Sequence, residues 1–363
     1  MPKQHWIGRP LIDVVFIILP PFFSLAVIFL FPSLFHDTSA MSDAGWVVLI
    51  LLVDVAHVYS TLYRTYFDPQ ALTNQRSLLW SIPLVCFAMG VLVYSLSSLW
   101  FWRLLAYIAV FHFVRQQYGF MRVYSRREPR KTFFSRMDAV IIYTATLYPL
   151  AYWHLSGPRN FNWFINGDFL YFSSGWLLQW LTVLYFLVIA CFIISEMIRF
   201  YRRRVLNLPR LLVITGTLLS WYFGIVYFNG DMAFTLLNVV SHGIPYMALI
   251  WIYGDKNYVR PKKGTAFLRL LFSTYGILLF IGLLFLFAFI EEGLWDLTVW
   301  KEHANIFGTS GSGSFTISHE WLSILVPILA LPQITHYVLD GFIWKVREEE
   351  FKWSTELKVK TPQ

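Results

Sequence analysis

Long apolar runs recur through almost the whole sequence, and this feature constrains the fold more than any other. A helix needs about 20 predominantly apolar residues to cross the hydrocarbon core of a bilayer. Such runs follow one another along the chain, separated by short polar segments. The pattern predicts an all-α, polytopic integral membrane protein with ten spans, near residues 11–34, 46–66, 78–98, 100–121, 138–155, 176–199, 210–228, 232–253, 268–290 and 320–343.

The composition leaves no room for a large soluble catalytic domain. Of the 363 residues, 57% are hydrophobic and 14% are charged, against about 25% charged in an average soluble domain. The two cysteines, Cys86 and Cys191, both lie inside apolar runs, so they predict neither a disulfide framework nor a zinc ribbon. We therefore expect residues 1–363 to form a single integral membrane domain.

Lysine and arginine residues cluster in the segments that follow the even-numbered spans. Cytoplasmic loops carry the excess of basic residues in membrane proteins, so these segments are expected on the cytoplasmic side together with both termini. The intervening gaps are neutral or acidic. The basic segments are 64–76, 122–131, 202–210 and 256–263, with Lys345 and Arg347 after the last span.

This topology signal also accounts for the formal net charge of +8, and no nucleic-acid partner is predicted. The basic loops 122–136 and 199–210 are expected to contact the anionic head groups of membrane lipids. Because no eukaryotic targeting signal is evident, we expect a bacterial cytoplasmic membrane. The sequence leaves the oligomeric state open.

Four histidines lie deep within predicted spans, where ionisable residues cost about 2.5–3.5 kcal/mol each and mark function by default. His57, His112, His242 and His336 belong to spans two, four, eight and ten. Even-numbered spans all run from the outside to the inside in the predicted topology. At 1.5 Å per residue, the four histidines lie roughly 15 to 24 Å from the outer boundary. We therefore expect their side chains to meet at one site.

Polar residues accompany these histidines. Asp54 precedes the first by three residues, Asp340 follows the last by four, and Arg115 and Gln116 follow His112. Neutral imidazole is the commonest ligand for iron, copper and zinc, and its second nitrogen needs an acceptor. The four histidines are predicted metal ligands, and the two aspartates are predicted carboxylate ligands or acceptors. The arginine and the glutamine are predicted to orient substrate or a bound oxygen species.

An arginine at membrane depth also needs a counter-charge. For Arg115 the candidates are Asp54, Asp340 and an anionic substrate head group. An ion pair that only holds helices together is an equal alternative for this residue.

The dispersal of the histidines over several helices is similar in kind to that of bacterial membrane carotenoid dioxygenases, which hold iron in this way. The similarity lies in the distribution of the histidines over the helices, since the characteristic sequence motifs of those enzymes are not found here. It favours a metal-dependent oxidoreductase, specifically a non-heme iron or copper oxygenase acting on a lipid or isoprenoid-like apolar substrate. Iron is the expected metal, copper and zinc stay open, and heme is disfavoured because charged neighbours suit a porphyrin face poorly.

Two other classes stay open. Buried histidine, aspartate and arginine also form the relays of proton- or ion-coupled transporters, although no internal repeat of the kind common in such folds is evident. Asn238 and His242 are faintly similar to the buried asparagine and histidine of membrane-bound O-acyltransferases, which leaves the other three histidines unexplained. The histidine clusters of membrane desaturases do not occur here.

Overall fold

The computed structural model describes residues 4–35, 41–308 and 317–344. Within these ranges the protein is all-helical, with 80% of residues in helices and no strand. Lys345 and Arg347, which contributed to the predicted orientation, lie outside the described residues.

Ten helices or bent helix pairs coincide with the ten predicted spans in the described part of the chain. They are α1 (Pro10–Ile18 and Pro20–Leu30), α2 (Asp43–Tyr63), α3 (Arg76–Leu96), α4 (Ser98–Tyr124), α5 (Phe133–Ser156), α6 (Gly175–Arg203), α7 (Leu208–Tyr227), α8 (Asp231–Val259), α9 (Thr274–Trp300) and α10 (His319–Leu329 and Leu331–Ile343). Short helices Pro69–Asn74, Ala266–Leu271 and Ala304–Phe307 lie in the connections.

Six of these helices are long and apolar enough to cross a membrane by themselves, namely α2, α3, α6, α7, α8 and α9. The bent pairs α1 and α10 raise the number to eight if each is one span. Helices α4 and α5 are outside this set, and both carry arginine and histidine side chains. The protein is therefore a helical membrane protein, while the count of ten spans and their orientation stay predictions.

The bends in α1 and α10 have a covalent cause. The two halves of α1 meet at an angle of 51° just before Pro20, and those of α10 meet at 42° just before Pro332. Proline has no backbone N–H and its ring crowds the preceding turn, so it interrupts the helical hydrogen bonds there. In α10 the bend sets the direction of the second half, which carries His336.

Helix α8 forms the centre of the bundle. In its most apolar stretch 83% of the residues are buried, against 11% for α6, which lies at the periphery and packs on α5. Helix α8 packs against α1, α2 and α7, while α10 packs against α3, α4 and α2. This arrangement brings α2, α4, α8 and α10 together, and these are the four helices that carry the deep histidines.

Candidate metal centre

The four deep histidines meet in one cluster, as their placement in the sequence predicts. All four side chains are at most 4% exposed, and one ring nitrogen from each lies within 4.8 Å of the others. Successive rings form a closed cycle with centroid separations of 4.8 Å (His57–His242), 4.9 Å (His242–His112), 4.6 Å (His112–His336) and 5.1 Å (His336–His57).

The hydrogen bonding of His57 directs the lone pair of one ring nitrogen into the cluster, where His242 Nε2 is its hydrogen-bond partner when no metal is bound. Its Nδ1 lies 3.2 Å from the Val53 carbonyl oxygen, which only accepts, so Nδ1 carries the proton of the neutral ring. The Nε2 lone pair therefore points to His242, whose Nε2 is 3.1 Å away. Ligands at about 2.0–2.1 Å from one ion are separated by about 2.9–3.4 Å at angles between 90° and 109°. The observed separation lies in that range.

Three further ring nitrogens are buried without a hydrogen-bond partner among the described residues. They are Nε2 of His112, Nδ1 of His242 and Nε2 of His336. A buried polar group left unsatisfied costs about 1–3 kcal/mol, so three in one cluster need a physical explanation. A metal ion bound between the rings would satisfy Nε2 of His112 and Nε2 of His336, with His242 contributing its Nε2, so the residues present fit such an ion.

A chain of hydroxyl groups fixes the orientation of His336. Tyr246 donates its O–H to Asp340 Oδ1 at 2.6 Å, and Thr61 Oγ1 lies 2.9 Å from the tyrosine oxygen. The threonine oxygen lies 2.7 Å from His336 Nδ1. With the carboxylate accepting at one end, each hydroxyl donates towards it and the imidazole Nδ1–H donates to the threonine. The Nε2 lone pair of His336 is then left for the cluster.

Asp340 lies just outside the ring of histidines. Its carboxylate oxygens are 3.8 Å from His112 Nδ1 and 3.9 Å from His336 Nδ1, too far for hydrogen bonds. Four imidazoles are a neutral ligand set, so a cation held between them has no charge compensation from its ligands. A carboxylate at this distance supplies part of that compensation.

Asp54 lies beside His57, as its spacing predicts, but it is not the acceptor of the Nδ1 proton. It lies 3.8 Å from His57 Nδ1, but the Val53 carbonyl accepts the proton of that nitrogen. The Asp54 side chain is 31% exposed and lies close enough to Glu291 and Tyr337 to interact with them electrostatically.

Two glutamines of α4 hold α8 in place next to its histidine. Pro245 has no N–H, so the Ser241 carbonyl loses its helical donor, and Gln117 Nε2 donates to that oxygen at 3.3 Å. Gln116 Nε2 donates to the His242 carbonyl at 2.9 Å. The structure therefore gives Gln116 a contact with the backbone of a cluster residue, where the sequence predicted a contact with substrate.

Arg115 lies on the exposed side of α4, and the structure does not bring it into the cluster. Its guanidinium donates to the Tyr143 hydroxyl at 2.8 Å and stacks over the Tyr118 ring at 5.3 Å. The expected counter-charges, Asp54 and Asp340, are not the partners that these contacts show. The physical reason is that a long charged side chain reaches the surface of the bundle at a lower cost than it can be buried.

Sequence analysis missed several residues that shape the centre. Thr61 lies one helical turn after His57, on the same face, so its spacing was a usable signal. Gly243 had no such signal: a Cβ there would lie 2.9 Å from the Val53 carbonyl oxygen. In α2 the segment Val47–Val55 winds as a wide π-helix, a feature often found at functional sites.

Comparison with known proteins finds no match for this chain. No protein-family model matches the chain, and neither a curated protein nor a solved structure shows a significant match to it. The fold and the site define the class by themselves: a helical membrane protein whose four buried histidines are able to hold a metal ion.

Proposed function

We propose that the protein is a membrane-embedded, metal-dependent oxidoreductase, specifically a non-heme iron or copper oxygenase that acts on a lipid or isoprenoid-like apolar substrate. One observation carries the proposal. Four buried imidazoles from four helices present ring nitrogens within 4.8 Å of one another, and three of these rings have a buried nitrogen without a hydrogen-bond partner among the described residues.

The ligand set suits a redox metal. Four protein ligands close the tetrahedral shell of a structural zinc ion. Imidazole ligands also suit iron and copper, which would supply redox chemistry that zinc lacks. When bound, the metal would supply the one-electron and oxygen chemistry that protein side chains lack. The chain itself holds the rings, fixes their tautomers and compensates charge through Asp340.

The spacing of the rings supports a single ion over heme. Neighbouring ring centroids are 4.6 to 5.1 Å apart, and a porphyrin macrocycle inserted between axial histidines would separate them further.

The surroundings of the cluster support an apolar substrate. Phe113 stacks on His242 with ring centroids 3.5 Å apart, and the Tyr337 ring lies 5.1 Å from that of His112. The cluster lies inside apolar helices, so an apolar molecule dissolved in the bilayer has the shortest route to it. We also propose that the membrane is a bacterial cytoplasmic membrane and that the substrate enters from its inner leaflet.

The first test is the metal content of the purified, detergent-solubilised protein. We expect stoichiometric iron or copper without a Soret absorption band. Replacing any one of the four histidines by alanine should abolish that metal content, because each removes a ligand. His154→Ala is the matched control, since that ring is held by Tyr107 and the Leu150 carbonyl in α5. Unchanged metal content in all four variants would overturn the proposal.

The second test is oxygen uptake by the iron-loaded protein in the presence of unsaturated lipids and isoprenoids. We expect uptake with the wild-type chain and none with His336→Ala. Zinc alone without oxygen uptake would make the centre structural, and a Soret band would make the protein a heme carrier. A metal-free protein would favour a proton-coupled transporter or an acyltransferase.

A further inference from the structure

Helices α6 and α7 follow each other in sequence but diverge in space. Both pack on α5, and a groove of about 590 Å³ lies between them. Its walls are almost entirely apolar. Representative lining residues are Tyr185, Phe192, Phe200, Leu211, Leu218 and Phe223.

The groove is bounded at both ends and open along its length. At one end the rings of Tyr185 and Tyr222 stack with centroids 5.9 Å apart. At the other end the Arg210 guanidinium contacts the Glu196 carboxylate at 2.5 Å, and Arg199 contacts the same carboxylate at 3.3 Å. The one acidic group in the lining is therefore neutralised by arginine. Since α6 is the least buried candidate span, at 11%, the open side faces the bilayer.

The length of the groove suits an acyl chain. From Tyr185 to Phe200 it extends about 22 Å along α6 at 1.5 Å per residue, more than the roughly 15 Å depth of one leaflet's hydrocarbon. The groove is apolar and open along one side, so a flexible hydrocarbon chain can lie along it.

Positive charge marks one end of the groove. Arg202, Arg203 and Arg204 are exposed and occupy the last turn of α6 and its C-terminal cap. Phe200 and Leu206, which flank this turn, both line the groove. Basic residues at the membrane end of such a groove attract anionic lipid head groups. We propose that this groove binds one anionic phospholipid, with a hydrocarbon chain between α6 and α7 and the phosphate at the arginine turn.

Native mass spectrometry of the full-length protein tests this proposal. The probes are phosphatidylglycerol and phosphatidylcholine with identical acyl chains, added to delipidated protein. We expect wild-type protein to retain phosphatidylglycerol preferentially. The triple variant Arg202→Gln, Arg203→Gln, Arg204→Gln should lose affinity for it by about fivefold for each arginine removed. Metal content should stay unchanged, because these residues are remote from the histidine cluster.

The matched control removes the same charge elsewhere, in the triple variant Arg260→Gln, Lys262→Gln, Lys263→Gln, and should retain the lipid. A second variant, Leu218→Trp, fills the groove without changing charge and should also expel the lipid. The proposal fails if wild-type protein shows no head-group preference, if both triple variants lose lipid equally, or if Leu218→Trp leaves retention unchanged. A lipid-free dimer that Leu218→Trp dissociates would assign the groove to a second copy instead.

Discussion

Asp340 sets the tautomer of His336 through a chain of three hydrogen bonds. Asp340 accepts from Tyr246, Tyr246 accepts from Thr61, and Thr61 accepts from His336 Nδ1. Each group in this chain is buried or nearly so, which leaves water little opportunity to substitute for a missing member. The chain presents the Nε2 lone pair to the cluster in the only form that binds a metal ion.

Thr61→Val removes one oxygen from this chain at nearly constant volume. We expect metal affinity to fall about 10- to 100-fold, the usual effect of losing a partner behind a metal-binding histidine. Competition with a chelator of known affinity measures the change. Thr146→Val is the matched control, because that buried hydroxyl donates to backbone carbonyls of α5 and contacts no cluster residue in the part of the chain that the structure describes. Equal affinities in wild-type and Thr61→Val protein would show that the hydroxyl chain does not position the histidine.

The sequence was sufficient to predict which histidines meet, but not what holds them. Depth along each span follows from residue counting, so the four rings were expected at one level. Partners such as the Val53 carbonyl are invisible in a side-chain pattern. Thr61 and His336 are 275 residues apart, and only the packing of α2 against α10 brings them together. Hydrophobic periodicity shows which face of a helix is buried. It does not show which other helix packs against that face.

At the level of elements, the close contact between α2 and α8 depends on one small residue. At Gly243 an added Cβ would lie 2.9 Å from both the carbonyl oxygen and a methyl group of Val53, and 3.4 Å from His57 Nδ1. The carbonyl is backbone and is also the acceptor of the His57 ring. Small residues at helix interfaces allow this approach inside membranes.

Gly243→Ala should therefore push α2 and α8 apart and separate His57 from His242. We expect a clear loss of metal affinity together with a lower unfolding temperature in detergent. Gly119→Ala is the control: it lies within α4, where an added Cβ meets nothing within 4 Å, and replacing a helical glycine by alanine is neutral or stabilising by up to about 1 kcal/mol. If both variants bound metal like the wild type, the approach of α2 to α8 at Gly243 would leave room for a methyl group, contrary to the distances given above.

The apolar runs located the helices well, but their ends less so. Glu291 and Glu292 were expected in an outside gap after residue 290, whereas α9 continues to Trp300 and buries both side chains. A carboxylate ends an apolar run in a sequence, yet a buried partner such as the Trp295 ring nitrogen, 3.4 Å from Glu291 Oε1, allows the helix to continue. The π-helical segment of α2 likewise depends on packing that no local pattern contains, whereas the bends in α1 and α10 occur at prolines that the sequence shows.

For the molecule as a whole, an ion-pair network joins three helices and the α4–α5 loop. Arg210 of α7 contacts Asp138 of α5 and Glu196 of α6, each at 2.5 Å, and Glu128 of the α4–α5 loop at 3.3 Å. Arg199 of α6 shares all three carboxylates. Removing one partner from a buried pair leaves an uncompensated charge and costs about 3–5 kcal/mol. This network therefore stabilises the bundle at a site separate from the histidines.

Arg210→Met should lower the free energy of unfolding by about 3–5 kcal/mol while the folded protein keeps its metal content. Thermal unfolding in detergent and elemental analysis measure the two quantities. Arg260→Met breaks an exposed pair with Asp255 and should cost no more than about 1 kcal/mol. Loss of metal from folded Arg210→Met protein would show that the ion-pair network also supports the histidine cluster.

The distribution of the histidines over α2, α4, α8 and α10 has a consequence for the order of events during synthesis. Three ligands are in place once α8 has been made, but the fourth arrives only with the last helix of the described chain. A nascent chain released early therefore lacks a complete set of donors. In the proposed metal centre, metal loading would therefore be the last step of biogenesis and would require that the helices before α10 have been inserted and packed.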